Sequence, residues 1–280
     1  MLAAPSRRSA HRGRYNPGSM GWSPLSTQFC LELGFGVLFT LYFVAHAPLG
    51  TFFFRMLGTT ALIPILVAII LPISAHGVSW RDPVALCAGL AVLTYPLYSG
   101  PISARNRKLA LAVAAAGCAA ALALQLRGIE SAGSAGAWLV VSLSALATGC
   151  VGGSVGLAMV FGHWYLTVPT LDVAYLARLN RLTMSCMLAS AGALGLSCLV
   201  FAELVTSARS PLFGPWGMFH FGTRVVVGLV MPLAFGWMTA QSLQFKNTRS
   251  ATGILYASTV LVLIGTALSV SLQDTYGIPL

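Results

Sequence analysis

A few ionisable side chains fall inside the long apolar runs of this sequence, and chemistry is expected there. Glu32 lies in the first run, Glu203 near the end of the sixth and Arg224 at the start of the seventh. A charge costs about 2.5–3.5 kcal/mol at the centre of a membrane helix, so each is a functional candidate. We expect these residues and His220 near one face, where Glu32 or Glu203 pairs with Arg224 for proton or cation handling. In the alternative interpretation, they reach water or form one structural ion pair.

Two histidines follow apolar runs at matching places. His46 ends the first run in "FVAHAPLG", His163 ends the fifth in "VFGHWYLTVP", and Arg55 belongs to the same face. Imidazole ligates haem iron and can donate a hydrogen bond to a quinone carbonyl. His46 and His163 are therefore predicted to be cofactor-binding residues, for haem b or a quinone. The alternative is that "HWY" places three amphipathic rings in the aromatic belt of a membrane interface.

The elements that position these residues are long and apolar. Hydrophobic residues make up 57% of the chain and charged residues 8%, with a mean hydropathy of +0.82, whereas a soluble domain has about 25% charged residues. A membrane-spanning helix needs about 20 mostly apolar residues. The sequence therefore predicts an all-α polytopic integral membrane helix bundle of about eight transmembrane helices. The predicted spans are 28–47, 51–74, 83–100, 109–126, 136–161, 182–204, 221–243 and 251–272.

The domain organisation follows from these spans. Residues 1–26 form a polar, basic tail, within which Met20 is an alternative start, and residues 27–280 form a single transmembrane domain. Landmarks recur after four spans: a histidine at a helix exit, and an asparagine among basic residues in "ARNRKLA" and "FKNTRSA". This recurrence predicts two parallel four-helix repeats, 27–126 and 136–273.

Small residues four positions apart mark the helices expected at the buried centre. Such patterns bring helix backbones together in lipid. Spans five and eight carry them, at Gly149/Gly153, Gly152/Gly156, Gly253/Ala257 and Gly265/Ser269. Between spans five and six, Thr170 as N-cap and Asp172 in the first turn predict a short helix lying along the membrane surface.

Charge and cysteine content exclude several classes of function. The net charge is +10, but the basic residues are scattered through short connections and one tail, so no nucleic-acid partner is expected. Basic residues beside the spans favour cytoplasmic odd-numbered connections, with the protein in the bacterial inner membrane. All six cysteines fall inside spans without a zinc, disulfide or c-type haem pattern, so no metal site is predicted.

Soluble-type catalysis is not indicated, because no Walker loop, G-x-G-x-x-G, H-E-x-x-H or G-x-S-x-G motif occurs. We expect no catalytic activity of the chain's own. "GHWYL" and "SATGILY" (250–256) resemble stretches of uncharacterised bacterial multi-pass membrane proteins. This resemblance covers spans five to eight and has no activity attached to it.

Three functions remain open. The first is a membrane subunit of an electron-transfer or energy-transducing complex, with other membrane-protein subunits as partners and haem or quinone near His163. The second is a small-solute or ion transporter or channel. The third is a non-catalytic membrane scaffold or assembly protein.

Overall fold

The protein is described here by a computed structural model that covers residues 22–76, 82–168, 171–207 and 212–280. The basic residues of the predicted tail, and Met20, lie outside the described residues. The described part contains no strand, so the all-α prediction is confirmed. Its helices are α1 (Trp22–Val44), α2 (Thr51–His76), α3 (Pro83–Leu93), α4 (Tyr95–Ser99), α5 (Ala104–Leu126), α6 (Ala135–Thr167), α7 (Val173–Val200), α8 (Ala202–Ser207), α9 (Pro215–Val225), α10 (Met231–Gln244) and α11 (Thr248–Tyr276).

Seven helical segments in the described part of the chain are long and apolar enough to cross a membrane. One of them, Pro215–Gln244, joins α9 and α10 through a π-helical turn at Val226–Val230. The predicted third span is shorter and broken, because α3 ends at Leu93 and α4 begins at Tyr95. Pro96 follows the break and has no N–H to continue the helical hydrogen bonds.

The broken helix nevertheless packs along α2 with both of its parts. Tyr95 Oη and Thr59 Oγ1 lie 2.7 Å apart, and Gly58 packs against Tyr98. Helix α4 therefore lies beside α2 about two turns after α2 begins. Arg107 on α5 closes the next turn, because it donates to the carbonyl oxygens of Tyr98 and Gly100 at 3.3 and 3.1 Å. In the described residues the bundle thus consists of seven helices long enough to span a membrane and one shorter, broken helical segment between α2 and α5.

Helices α1 and α6 cross at the centre of the bundle through glycine. Gly36 lies against the backbone of Gly149 and Gly153, and Gly149 lies against the main chain of Glu32. A Cβ atom at any of these glycines would overlap the facing backbone. Since Glu32 meets Gly149 and Gly36 meets Gly153, the two helices run in the same direction. The Gly149/Gly153 pattern is therefore a helix-packing site, as predicted.

The small-residue patterns of the eighth span are borne out in part. Gly265 packs against Gly228 of the π-helical turn, and Ser269 is buried. The prediction for Gly253 and Ala257 is wrong, because Ala257 is exposed and no atom lies within 4 Å of a Cβ built at Gly253. Small residues also occur on helix faces that make no packing contact. The four-residue spacing alone therefore does not distinguish a packing site from an exposed face.

The two halves of the bundle have corresponding helix contacts. In the first half, α1 packs on α2 and α5, and α3 packs on α5. In the second half, α6 packs on α7 and α11, and α10 packs on α11. Gly36 and Gly153, which pack together, are separated by the same number of residues as His46 and His163. These observations agree with two parallel repeats, and the duplication itself stays a prediction.

The helix limits differ from the predicted spans at several places, of which two change the picture at a helix start. Span one starts earlier than expected, since α1 begins at Trp22 and takes in the last residues assigned to the tail. No separate surface helix precedes span six, because α7 runs unbroken from Val173 to Val200. Its N-cap is Asp172, whose Oδ1 accepts from Ala174 N at 2.9 Å. Thr170, the predicted cap, lies outside the described residues.

Candidate functional site: a buried polar centre

The structure brings Glu32 and Arg224 into one buried site. The membrane-spanning part of α1 begins at Pro24, and Glu32 lies about 12 Å further along the helix. Arg224 lies in the last turn of α9. Their side chains are 2% and 1% exposed. Neither side chain therefore reaches water by extending to the surface, although both were predicted near the membrane edge.

A chain of amides holds Glu32. Gln28 Nε2 donates to Glu32 Oε1 at 2.7 Å and to Gln273 Oε1 on α11 at 2.6 Å. Gln273 Nε2 in turn donates to Gln28 Oε1. Both glutamines are buried. The two amides thus form a reciprocal pair that covers the carboxyl group.

Arg224 on α9 adds a cation to the site. Its terminal Nη2 donates to Thr148 Oγ1 of α6 at 3.1 Å, and its Nε lies 3.4 Å from the main-chain oxygen of Leu280. The two residues contact neighbouring positions of α6, Glu32 through its main chain at Gly149 and Arg224 through its side chain at Thr148, and the hydrogen bonds of both side chains go to neutral partners. We call this cluster the buried polar centre: Gln28, Glu32, Thr148, Arg224 and Gln273.

The π-helical turn begins two residues after Arg224. Pro232 lacks the N–H that would bond to the carbonyl of Gly228, and the widened turn, in which Met231 N bonds to Val226 O, accommodates that loss. Gly228 in this turn lies against Gly265, and the guanidinium of Arg224 is 3.1 Å from a Cβ built at Gly228. Small residues on both helices therefore make room for the arginine. Such turns occur often at functional sites.

His46 and His163 lie at the same end of the bundle, because α1 and α6 are parallel. Both side chains are exposed, as is Arg55. His163 Nδ1 lies 3.3 Å from Tyr256 Oη of α11. The contacts of the described residues do not join the two histidines to each other, and their role in holding a cofactor stays a prediction.

The aromatic residues beside His163 do not all behave as interface rings. Trp164 packs on Phe52 and Phe53, with ring centroids 6.1 and 5.2 Å apart. Tyr165 is 4% exposed and donates to the main-chain oxygen of Asp172. Part of "HWY" is therefore a packing and capping element between α6 and the start of α7.

Two surface pockets lie near the predicted site residues, one beside Tyr256 and one beside His220. An open pocket of about 660 Å³ lies beside Tyr256, lined by Tyr165, Thr248, Arg249 and Thr252 among others. A smaller one, of about 220 Å³, lies between α9 and α11 at the other end of the bundle, lined by Trp216, His220 and Tyr276 among others.

The remaining predicted residues do not join the centre. His220 is half-buried, with Nδ1 2.8 Å from the main-chain oxygen of Trp216. Glu203 is exposed on α8. Glu32, and not Glu203, is thus the acidic residue that shares a site with Arg224. Among the described residues, no group of three or more His, Cys, Asp or Glu side chains is placed to hold a metal ion.

The sequence alone did not identify three members of the centre. Gln28 and Gln273 carry no charge, so nothing in their types marks them as buried, and Thr148 is ordinary in a helix of small residues. One signal was available: Gln28 precedes Glu32 by four residues, the spacing that places two side chains on one helix face.

No protein-family model, curated protein or solved structure matches the chain. The conclusions about its function therefore rest on its own residues and their geometry.

Proposed function

We propose that this protein is a membrane transporter that moves protons, alone or together with a small solute, through Glu32. The supporting observation is that Glu32 and Arg224 are both buried in one polar site within a bundle of membrane-spanning helices. Burying two ionisable groups in an apolar phase is expensive. A structural role is served as well by apolar side chains, so the polar centre indicates ion handling.

The hydrogen bonds of the site suit a group that gains and loses a proton. The carboxyl of Glu32 is held by a neutral amide, and the hydrogen bonds of Arg224 go to Thr148 and to the main-chain oxygen of Leu280. Such an arrangement tolerates both forms of the acid, because the guanidinium stabilises the ionised carboxylate while burial favours the neutral acid.

The packing around the centre differs between its two sides. Towards the ends of α1 and α6, the crossing of Gly36 with Gly149 and Gly153 leaves no room between the two helices. Towards the start of α1, the amide pair and the main-chain oxygen of Leu280 contact the centre. We therefore propose that protons reach Glu32 from the side on which α1 begins.

Labelling with the apolar reagent dicyclohexylcarbodiimide tests the proton-binding step, because it modifies protonated carboxyl groups in apolar surroundings. We expect Glu32 to be labelled in membranes, and labelling to fall as pH rises. Exposed Glu130 is the control, and mass spectrometry locates the label. Equal, pH-independent labelling of Glu32 and Glu130, or none at Glu32, would contradict the proposal.

A second candidate function is a quinone- or haem-contacting membrane subunit of an electron-transfer complex. The observation that favours it is the hydrogen-bond geometry between His163 and Tyr256, beside an open pocket of about 660 Å³. A histidine and a tyrosine are both suitable donors to a quinone carbonyl. Purification from native membranes in mild detergent tests it: co-purifying subunits with a Soret band or bound quinone support it, and a lone, colourless protein rejects it.

The membrane and the orientation belong to the same proposal. A bundle of this kind contacts the lipid bilayer, and we propose that the membrane is the bacterial inner membrane. The basic residues Arg105, Lys108, Arg178 and Arg249 favour cytoplasmic odd-numbered connections. A reporter fused to the C-terminus should then lie outside the cytoplasm. A reporter found in the cytoplasm would show that the protein has the opposite orientation.

A further inference from the structure

A small pocket lies about one helical turn from the buried polar centre. It has a volume of about 220 Å³ and lies between α9 and α11. Leu272 of α11 lines it, and the next residue, Gln273, belongs to the amide pair of the centre. His220 of α9 lines it as well, and Arg224 of the centre follows about 6 Å further along that helix. Because Gln273 pairs with Gln28 near the start of α1, the pocket lies on the side from which protons are proposed to arrive.

The imidazole of His220 is held so that Nε2 is the atom that exchanges a proton. Nδ1 lies 2.8 Å from the main-chain oxygen of Trp216, and because a carbonyl oxygen only accepts, the hydrogen of the neutral ring is on Nδ1. The ring also packs against Trp216 and Phe219, with centroids 6.4 and 5.6 Å apart. Nε2 is therefore an acceptor in the neutral side chain, and His220 gains its second proton there.

Two titratable side chains line the pocket in the described part of the chain, His220 and Tyr276. A phenol ionises well above neutral pH, whereas imidazole ordinarily changes its charge between about pH 5 and 8. Nearby, α9 carries Arg224, whose guanidinium stays charged, and α11 carries half-buried Asp274 outside the pocket lining. The π-helical turn that packs on α9 has no titratable residue. His220 is therefore the group through which the pocket takes up protons near neutral pH.

We propose that this pocket is the entrance through which protons reach Glu32, and that His220 collects them from the solvent. A hydronium ion gives its proton to Nε2, while Nδ1 keeps its hydrogen bond to the Trp216 oxygen. Nε2 then gives that proton to solvent in the pocket, and the proton passes on to the carboxylate of Glu32, which becomes the neutral acid. His220 ends uncharged and accepts the next proton. The inference rests on the proposed function, because it names the residue that supplies Glu32.

Proton flux into liposomes, with and without added imidazole, tests the role of His220. In His220→Gln, the amide can still donate to the Trp216 oxygen but gains no proton near neutral pH. Positioned proton donors and acceptors accelerate reactions by about 100-fold or more, and because solvent in the pocket carries part of the protons, we expect a loss of about tenfold. Imidazole, which is small enough for the pocket, should restore the flux. Glu32→Gln liposomes with the same imidazole give the flux that bypasses the protein.

Thr223→Val is the matched control. It removes a hydrogen bond of the same kind, from a side chain of α9 to the main-chain oxygen four residues earlier, at a residue outside the pocket lining. Its flux should stay near the native rate, and imidazole should not raise it.

A second variant tests the entrance without changing His220. Ser271 is exposed and lines the pocket, and Ser271→Cys is modified with a bulky cationic methanethiosulfonate before reconstitution. We expect flux to fall at least as far as in His220→Gln. The native chain treated in the same way is the control for its own cysteines.

The outcomes separate the entrance from the proposed function. Native-rate flux in monodisperse His220→Gln or in modified Ser271→Cys would overturn the entrance and leave Glu32 as the proton carrier, and so would a failure of imidazole to restore flux. If His220→Gln does not give monodisperse protein, the flux of modified Ser271→Cys decides. Flux in none of the preparations, the native chain included, would reject the proposed function and the entrance with it.

Discussion

Gln28 and Gln273 are 245 residues apart in the sequence and pair through their side-chain amides inside the bundle, with Gln28 Nε2 2.6 Å from Gln273 Oε1. The pair links the first and last helices of the described structure. It also fixes Gln28 where its amide reaches Glu32. The last long helix therefore takes part in positioning an acid on the first.

Replacing Gln273 by leucine should destabilise the protein. Gln28 would lose its partner in a place closed to water, and an unsatisfied buried polar group costs about 1–3 kcal/mol. The free energy of unfolding, measured by titrating dodecyl sulfate into detergent micelles, checks this. Gln241→Leu is the matched control, because Gln241 is exposed. Equal effects of the two changes would show that the amide pair adds no stability.

The glycine crossing of α1 and α6 should not tolerate an added methyl group. Gly153→Ala places a Cβ against the backbone of Gly36, and overpacking of this kind costs about 1–3 kcal/mol. Gly156→Ala on the same helix meets no atom within 4 Å and should be neutral or slightly stabilising. The same unfolding titration measures both. The crossing is misplaced if Gly156→Ala is the more harmful change.

Arg107 should stabilise the turn between the broken third span and α5. It donates to two carbonyl oxygens, and its guanidinium carbon lies 4.1 Å from the centre of the Phe54 ring. Hydrogen bonds to a charged group contribute about 1.5–3 kcal/mol, and we expect Arg107→Ala to lose stability of that order. Exposed Arg105 is the control. A loss no larger than that of Arg105→Ala would contradict this role.

The second candidate function makes a separate prediction at the other end of the bundle. Short-chain ubiquinone should quench tryptophan fluorescence of the purified protein, and His163→Ala or Tyr256→Phe should weaken that binding. His220→Ala is the control, because His220 lies beside Tyr276, about 30 Å along α11 from Tyr256. Unchanged ubiquinone binding in both variants would show that quinone does not bind at this site.

The features that the sequence predicts well are those with a local cause. Apolar length predicts spanning helices, and the cost of charge in lipid singles out Glu32 and Arg224, whichever helices adjoin them. The broken third span is partly predictable from Pro96. Of the two glycine patterns in span five, Gly149/Gly153 makes the predicted close approach, whereas Gly156 of the other pattern has no neighbouring atom within 4 Å of a Cβ position.

The rest depends on which helices pack together. Neutral Gln28 and Gln273 gain their role only from the contact between α1 and α11. The choice of Glu32 over Glu203 as the partner of Arg224 depends on helix placement in the same way. The inward turn after Gly277 is not predicted by any motif either, since serine and arginine contacts to main-chain oxygens follow no sequence pattern.

Proton flux in liposomes tests the central claim most directly. The purified protein is reconstituted with an entrapped pH-sensitive dye, and a potassium diffusion potential drives protons inward, with and without a panel of small solutes. We predict acidification faster than in protein-free liposomes under at least one condition. Glu32→Gln should abolish it and Glu130→Gln, at an exposed residue, should preserve it. Flux that survives Glu32→Gln, or no flux above protein-free liposomes under any condition, would contradict the account.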